Sequence, residues 1–287
     1  MSAAPATRRG GGLSLATRVP RILMGLSLLF AWASLSSVTR VSGLPHAYGP
    51  SAWLPLAPLT SGPGFALVSV VFAGACLAFV LGRRAPVAAA LIVALLVLMS
   101  HLQSAQWAPD AHHANRAVVL PGAAMVAWWL ARWRSRGQGV GAADAAGVEA
   151  ACGITAACYS FAGWSKVSGS GLEWASGPNL AMHLMVHSYG SVEPLRALRQ
   201  GLAELPALCA FFGHGTLLIE CSFGLFLVPR LRRLYATAAV LMHLGIALVM
   251  GLHHYDWMLM VAGLGFSSPS TRGAASASGS PPGPGAG

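Results

Sequence analysis

Charge is what this sequence has least of. Only 9% of its 287 residues are charged, and a single lysine, Lys166, stands among 18 basic side chains. An ordinary soluble domain carries about a quarter charged residues, so a water-facing globule is excluded. Cysteine is sparse as well. Cys76, Cys152, Cys158, Cys209 and Cys221 all fall inside apolar runs with no Cys-x-x-Cys pair. That pattern excludes a disulfide framework and a zinc or thioredoxin-like motif, and leaves small thiols packed between helices. No internal repeat is evident, which argues against a transporter assembled from paired halves.

What remains is apolar. The chain is 55% hydrophobic with a mean hydropathy of +0.61, and several runs approach the roughly 20 residues needed to cross a bilayer core of about 30 Å. This predicts an all-α fold, a polytopic transmembrane bundle of about eight helices with seven as the lower count. The formal charge of +10 then belongs to short loops that set orientation and meet anionic headgroups. It is not a nucleic-acid footprint.

The runs place spanning helices at residues 19–38, 65–81, 86–102, 117–130, 145–164, 205–228, 234–252 and 257–266. Residues 1–18 are polar and lead into the first helix without a small-residue cleavage site, which predicts a retained helix with a cytoplasmic N-terminus. Pro45, Pro50, Pro55, Pro58 and Pro63 mark a loop after the first helix, and Gly82-Arg83-Arg84 a tight turn after the second. Residues 138–147 read as a small-residue linker and 168–171 as a glycine-serine turn. Residues 174–189 are amphipathic and short, lying in the interface or re-entering. Residues 267–287 are Ser, Gly, Pro and Ala, a disordered tail after a membrane domain of residues 19–266.

Basic residues support that layout. With the N-terminus inside, the outer side holds Arg40, Arg116, Lys166, Arg196 and Arg199, and the other thirteen of the 18 lie inside. This positive-inside bias predicts a multi-pass protein of the inner (plasma) membrane.

Lys166 falls at the outer end of the fifth helix. A cation in such a place is a functional hypothesis by default, with snorkelling to headgroups as the plainer reading. His101, Asp110, His112, His113, His183, His187, His253, His254 and Asp256 map to the same side, which suggests an outward-facing polar cavity. His183 and His187 have the i, i+4 spacing of a metal-binding pair, although two ligands do not make a site. His214, Glu220 and His243 lie within the membrane. A carboxyl there is protonated or hydrogen-bonded, and interhelical hydrogen bonding accounts for Glu220 and His214 as readily as proton transfer does.

Phe161-Ala162-Gly163-Trp164-Ser165-Lys166, followed by Trp174 and Gly177, resembles the aromatic-Ala-Gly-x-x-Lys…Trp-x-x-Gly signature of the vitamin K-dependent gamma-carboxylases. It also resembles that of their bacterial relatives with the horizontally transferred transmembrane (HTTM) domain. Leu218-Ile219-Glu220, Pro229-Arg230, the stretch from His243 to Gly251, and Tyr255-Asp256-Trp257-Met258 are similar to the C-terminal half of that domain. The resemblance runs from about residue 150 to 266. It implies that Lys166 is a base that deprotonates a reduced quinone of the menaquinol type, and His101 or His243 would help orient it. The carboxylases carry a large extracytoplasmic domain where this sequence has its short tail, so protein carboxylation is not expected. The expectation is therefore a quinol-linked membrane enzyme. The alternative is a non-enzymatic membrane module that binds a lipid or a partner membrane protein.

Overall fold

A computed structural model describes residues 15–41, 62–104 and 111–267. The proline-rich segment up to residue 61, Asp110, most of the polar N-terminal segment and the tail from residue 268 lie outside the described residues, while Pro63 belongs not to a loop but to the first turn of the helix that starts at Gly62. The fold is all-α, with ten α-helices and no strand among the described residues. They are α1 (Leu15–Val41), α2 (Gly62–Val80), α3 (Ala85–Ser104), α4 (Ala111–Arg134), α5 (Val140–Ser170), α6 (Gly177–Ser188), α7 (Glu193–Ala203), α8 (Pro206–Cys221), α9 (Pro229–Gly245) and α10 (Tyr255–Gly265). Short 3-10 turns at Gly171–Ala175 and Phe223–Leu227 follow α5 and α8, and a π turn at Ile246–Met250 extends α9.

Three of these segments are long and apolar enough to cross a membrane: Gly62–Val80, Val140–Ala175 and Pro229–Met250. The α7–α8 pair qualifies only jointly, as one span bent by 93° or a re-entrant loop. This is the architecture of a membrane protein, with large apolar side chains such as Leu67, Val70, Phe161 and Leu218 exposed on the outside.

Local chemistry explains most boundaries. Proline stands in the first turn of α6, α7, α8 and α9, where its missing N–H costs nothing. The predicted turn between α2 and α3 is present, with Gly82 and Arg84 both at positive φ. Several boundaries differ from the hydropathy pattern, and the helix expected over 205–228 ends at Cys221, before a 3-10 turn. Residues 138–147 are not a linker, because α5 begins at Val140 directly after Gly139. Likewise Ser168 and Gly169 continue the helix, and the chain leaves it only at Gly171, whose φ of +60° an L-residue resists. The segment expected at 174–189 is a 3-10 turn followed by α6, and α7 is an added amphipathic helix.

The core forms where α1 meets α2, α4 and α10, and where α5 packs on α4 and α8. Trp32 stacks on Phe72 at 4.3 Å, and Phe79 meets Trp128 edge-on at 5.0 Å. Three of the arginines expected on the inner side do not sit in loops facing headgroups. Arg21 and Arg132 both grip Asp144 at the start of α5, and Arg232 of α9 forks onto Glu149 at 2.9 and 2.7 Å. Burial of Arg21 and Arg232 demands such counter-charges.

Candidate functional site

The far end of α5 carries Lys166, one turn before the helix stops. Its ammonium donates to both oxygens of Glu220, at 2.6 Å to Oε1 and 2.5 Å to Oε2. The same nitrogen lies 4.4 Å from the centroid of the Trp174 ring, a cation–π distance. The lysine side chain remains 25% exposed while that of Glu220 is 8% exposed, so the pair is open on the lysine side only.

Glycines let the helices come this close. A Cβ on Gly163 would stand 2.7 Å from the backbone nitrogen of Cys221, and one on Gly177 would stand 2.2 Å from the carbonyl oxygen of Pro206. Between them, Ser176 caps α6 through the backbone N–H of Asn179, whose side-chain amide donates to the Trp174 carbonyl at 2.7 Å. Gly177 packs α6 on Pro206 at the start of α8, whereas Lys166, Trp174 and Glu220 meet at the opposite end of α8, where Gly163 packs. Phe161 and Trp164 point away from it and are 76% and 60% exposed.

His243 makes its hydrogen bond with Tyr159 and not with Lys166. Its Nε2 meets the Tyr159 hydroxyl at 2.6 Å, and Tyr159 stacks on Phe223 at 4.2 Å. The His254 ring lies 6.0 Å from that of His243, and the Trp257 ring lies 6.3 Å from it. The histidines whose side chains are described thus divide rather than crowd around one lysine. His253 is exposed and turned to the Gly251 carbonyl, and His214 donates from Nδ1 to the carbonyl of Ala210 on its own helix. His183 and His187 lie on α6, and the His187 carbonyl accepts from Arg199. Among the described residues no three His, Cys, Asp or Glu side chains gather where a metal could bind. His101 falls in α3, His112 and His113 in α4, and their side chains are outside the described set.

No family model, no curated protein and no solved structure matches this chain. Its chemistry therefore has to be read from its own residues. Sequence reasoning found Lys166 and Glu220 separately but did not pair them, and it passed over Tyr159 altogether. A signal for Tyr159 was available: it stands seven residues before Lys166, two turns along one helical face. Gly163 lies between them on that face, at the closest approach to α8.

Proposed function

We propose that this chain is a multi-pass protein of the inner membrane with about eight crossings and a cytoplasmic N-terminus. It is of the HTTM kind related to gamma-carboxylases, and it acts on a reduced, menaquinol-like quinone with Lys166 as proton acceptor. One observation carries this reading: Lys166 is clasped by both oxygens of Glu220 beneath Trp174 and is still partly open. An isolated ammonium would need only headgroups. A cation with its own buried carboxylate and an accessible edge is arranged for proton exchange.

The chemistry is simple to write. A proton moves across the short contact from the ammonium to Glu220, which leaves a neutral amine. That amine takes the hydroxyl proton of the quinol, and Trp174 offers its face to the cation that results. Dioxygen then gives one oxygen atom to the ring as an epoxide and the other leaves as hydroxide. Exposed Phe161, Trp164 and Leu218 on α5 and α8 suit a substrate whose apolar tail stays in lipid.

The test uses purified protein in lipid nanodiscs, supplied with menaquinol and air and followed by mass spectrometry. Epoxide from the wild type and none from Lys166→Met supports the reading, whereas equal amounts from both would sink it. A specific observation also favours the non-enzymatic alternative: Gly215 and Gly224 have open space where a side chain would be, beside exposed Leu218 and Leu225. Such a surface suits a partner membrane helix.

A further inference from the structure

The Lys166 face of α5 continues inward to a second polar cluster that the quinol reaction does not use. Tyr159 lies two turns from Lys166 on this face and is fully enclosed, with Thr155 one turn further and also buried. Gly163, one turn from Tyr159, packs on Glu220, and the Tyr159 hydroxyl meets His243 Nε2 at 2.6 Å. Phe223 and Trp257 wall the cluster, their rings 4.2 and 5.3 Å from that of Tyr159.

Hydrogen-bond accounting exposes an unfinished connection. When His243 Nε2 accepts from the Tyr159 hydroxyl, a neutral imidazole carries its proton on Nδ1. His243 Nδ1 and Asp256 Oδ2 are each buried and without a hydrogen bond among the described residues. One is then a donor and the other an acceptor. Asp256 is the second residue of α10, between His254 and Trp257, whose rings lie 6.0 and 6.3 Å from that of His243. Buried polar atoms rarely stay single, and a complementary pair in one cluster with no direct hydrogen bond between them is most simply explained by exchange across one water.

We propose that Tyr159, His243 and Asp256 form a proton relay joining the Lys166–Glu220 pair to the first turn of α10. Tyr159 accepts a proton from the Glu220 side as it gives its own to His243 Nε2, and the imidazolium releases its Nδ1 proton towards Asp256. One proton enters and one leaves, and nothing is oxidised. The relay rests on the proposed function only for the source of its proton.

The experiment needs no substrate. Full-length protein with 15N-labelled histidine is placed in lipid bilayers, and the His243 signals are identified by their loss in His243→Asn. Solid-state NMR then follows both ring nitrogens in wild type, Tyr159→Phe and Asp256→Asn, with thermal midpoints as a folding check. The relay expects Tyr159→Phe to shift Nε2 and Asp256→Asn to shift Nδ1. It also expects the His243 ring proton to exchange with D2O several-fold faster in wild type than in Asp256→Asn. An Nδ1 signal indifferent to Asp256→Asn overturns it, as does a wild-type ring proton that stays unexchanged over days. Should Asp256→Asn misfold, the wild-type exchange decides alone. Epoxide formation with a locked ring proton would remove the relay and leave the quinol reaction standing; free exchange without epoxide would do the reverse.

Discussion

Arg21 and Asp144, 123 positions apart in the chain, form a buried ion pair that fastens the start of α1 to the start of α5. Arg132 brings a second guanidinium to the same carboxylate at 2.5 Å, and the Trp128 ring lies within 5.8 Å of both cations. Two cations share one anion where little water reaches. Asp144→Asn therefore leaves both uncompensated and is expected to cost about 3–5 kcal/mol. Arg132→Gln, which spares the Arg21 contact, is expected to cost less. Thermal unfolding in detergent, followed by tryptophan emission, checks the order.

At the other end of α5, the Lys166–Glu220 pair predicts a separation of stability from activity. Lys166→Ala strands a nearly buried carboxylate, so it is expected to destabilise the protein by about 3 kcal/mol. The double variant Lys166→Met with Glu220→Met replaces both charges by apolar bulk and is expected to recover most of that loss. Neither variant should form epoxide. A double variant that regains activity together with stability would show the pair to be only a clamp between α5 and α8.

The outlines of the helices were legible because an apolar run is a local property. The hydropathy pattern put helices at 65–81 and 257–266, and the structure has Gly62–Val80 and Tyr255–Gly265. The ends of α5 were not legible, since Gly141, Ser168 and Gly169 look like breakers yet adopt helical backbone. At the two ends of α5 it is Gly139 and Gly171 that take positive φ, and composition does not distinguish them from their neighbours. The site was legible in its parts and hidden in its pairing. Glu220 is 54 positions from Lys166, and His243 is 84 from Tyr159. Such contacts are set by how helices dock, which no local pattern records.

Glycine spacing predicts where the bundle tolerates change. Gly163→Ala puts a methyl against the backbone of Cys221, and Gly213→Ala puts one 2.5 Å from the Ala175 carbonyl, so neither neighbour can yield cheaply. Each should lower the thermal midpoint and weaken the hold of Glu220 on Lys166. Gly215→Ala and Gly224→Ala meet open space and should leave the monomer's stability unchanged. If those two instead alter the oligomeric state in light-scattering measurements, the surface they share binds a partner helix, and the non-enzymatic reading gains the weight.

Orientation is testable through the two ends of α5. Gln138 precedes the charged layer at the start of α5, expected on the inner side, whereas Glu193 opens α7 beyond the Lys166 end. Arg196 and Glu193 form an exposed i, i+3 pair, with Glu193's side chain 76% accessible, so losing it costs little. In a background where the five native cysteines are replaced by alanine or serine, Glu193→Cys is expected to react with a membrane-impermeant maleimide on intact cells. Gln138→Cys should react only after the membrane is broken. The opposite pattern would turn the bundle over, place Lys166 on the cytoplasmic side, and move the proposed quinol chemistry to the other face of the membrane.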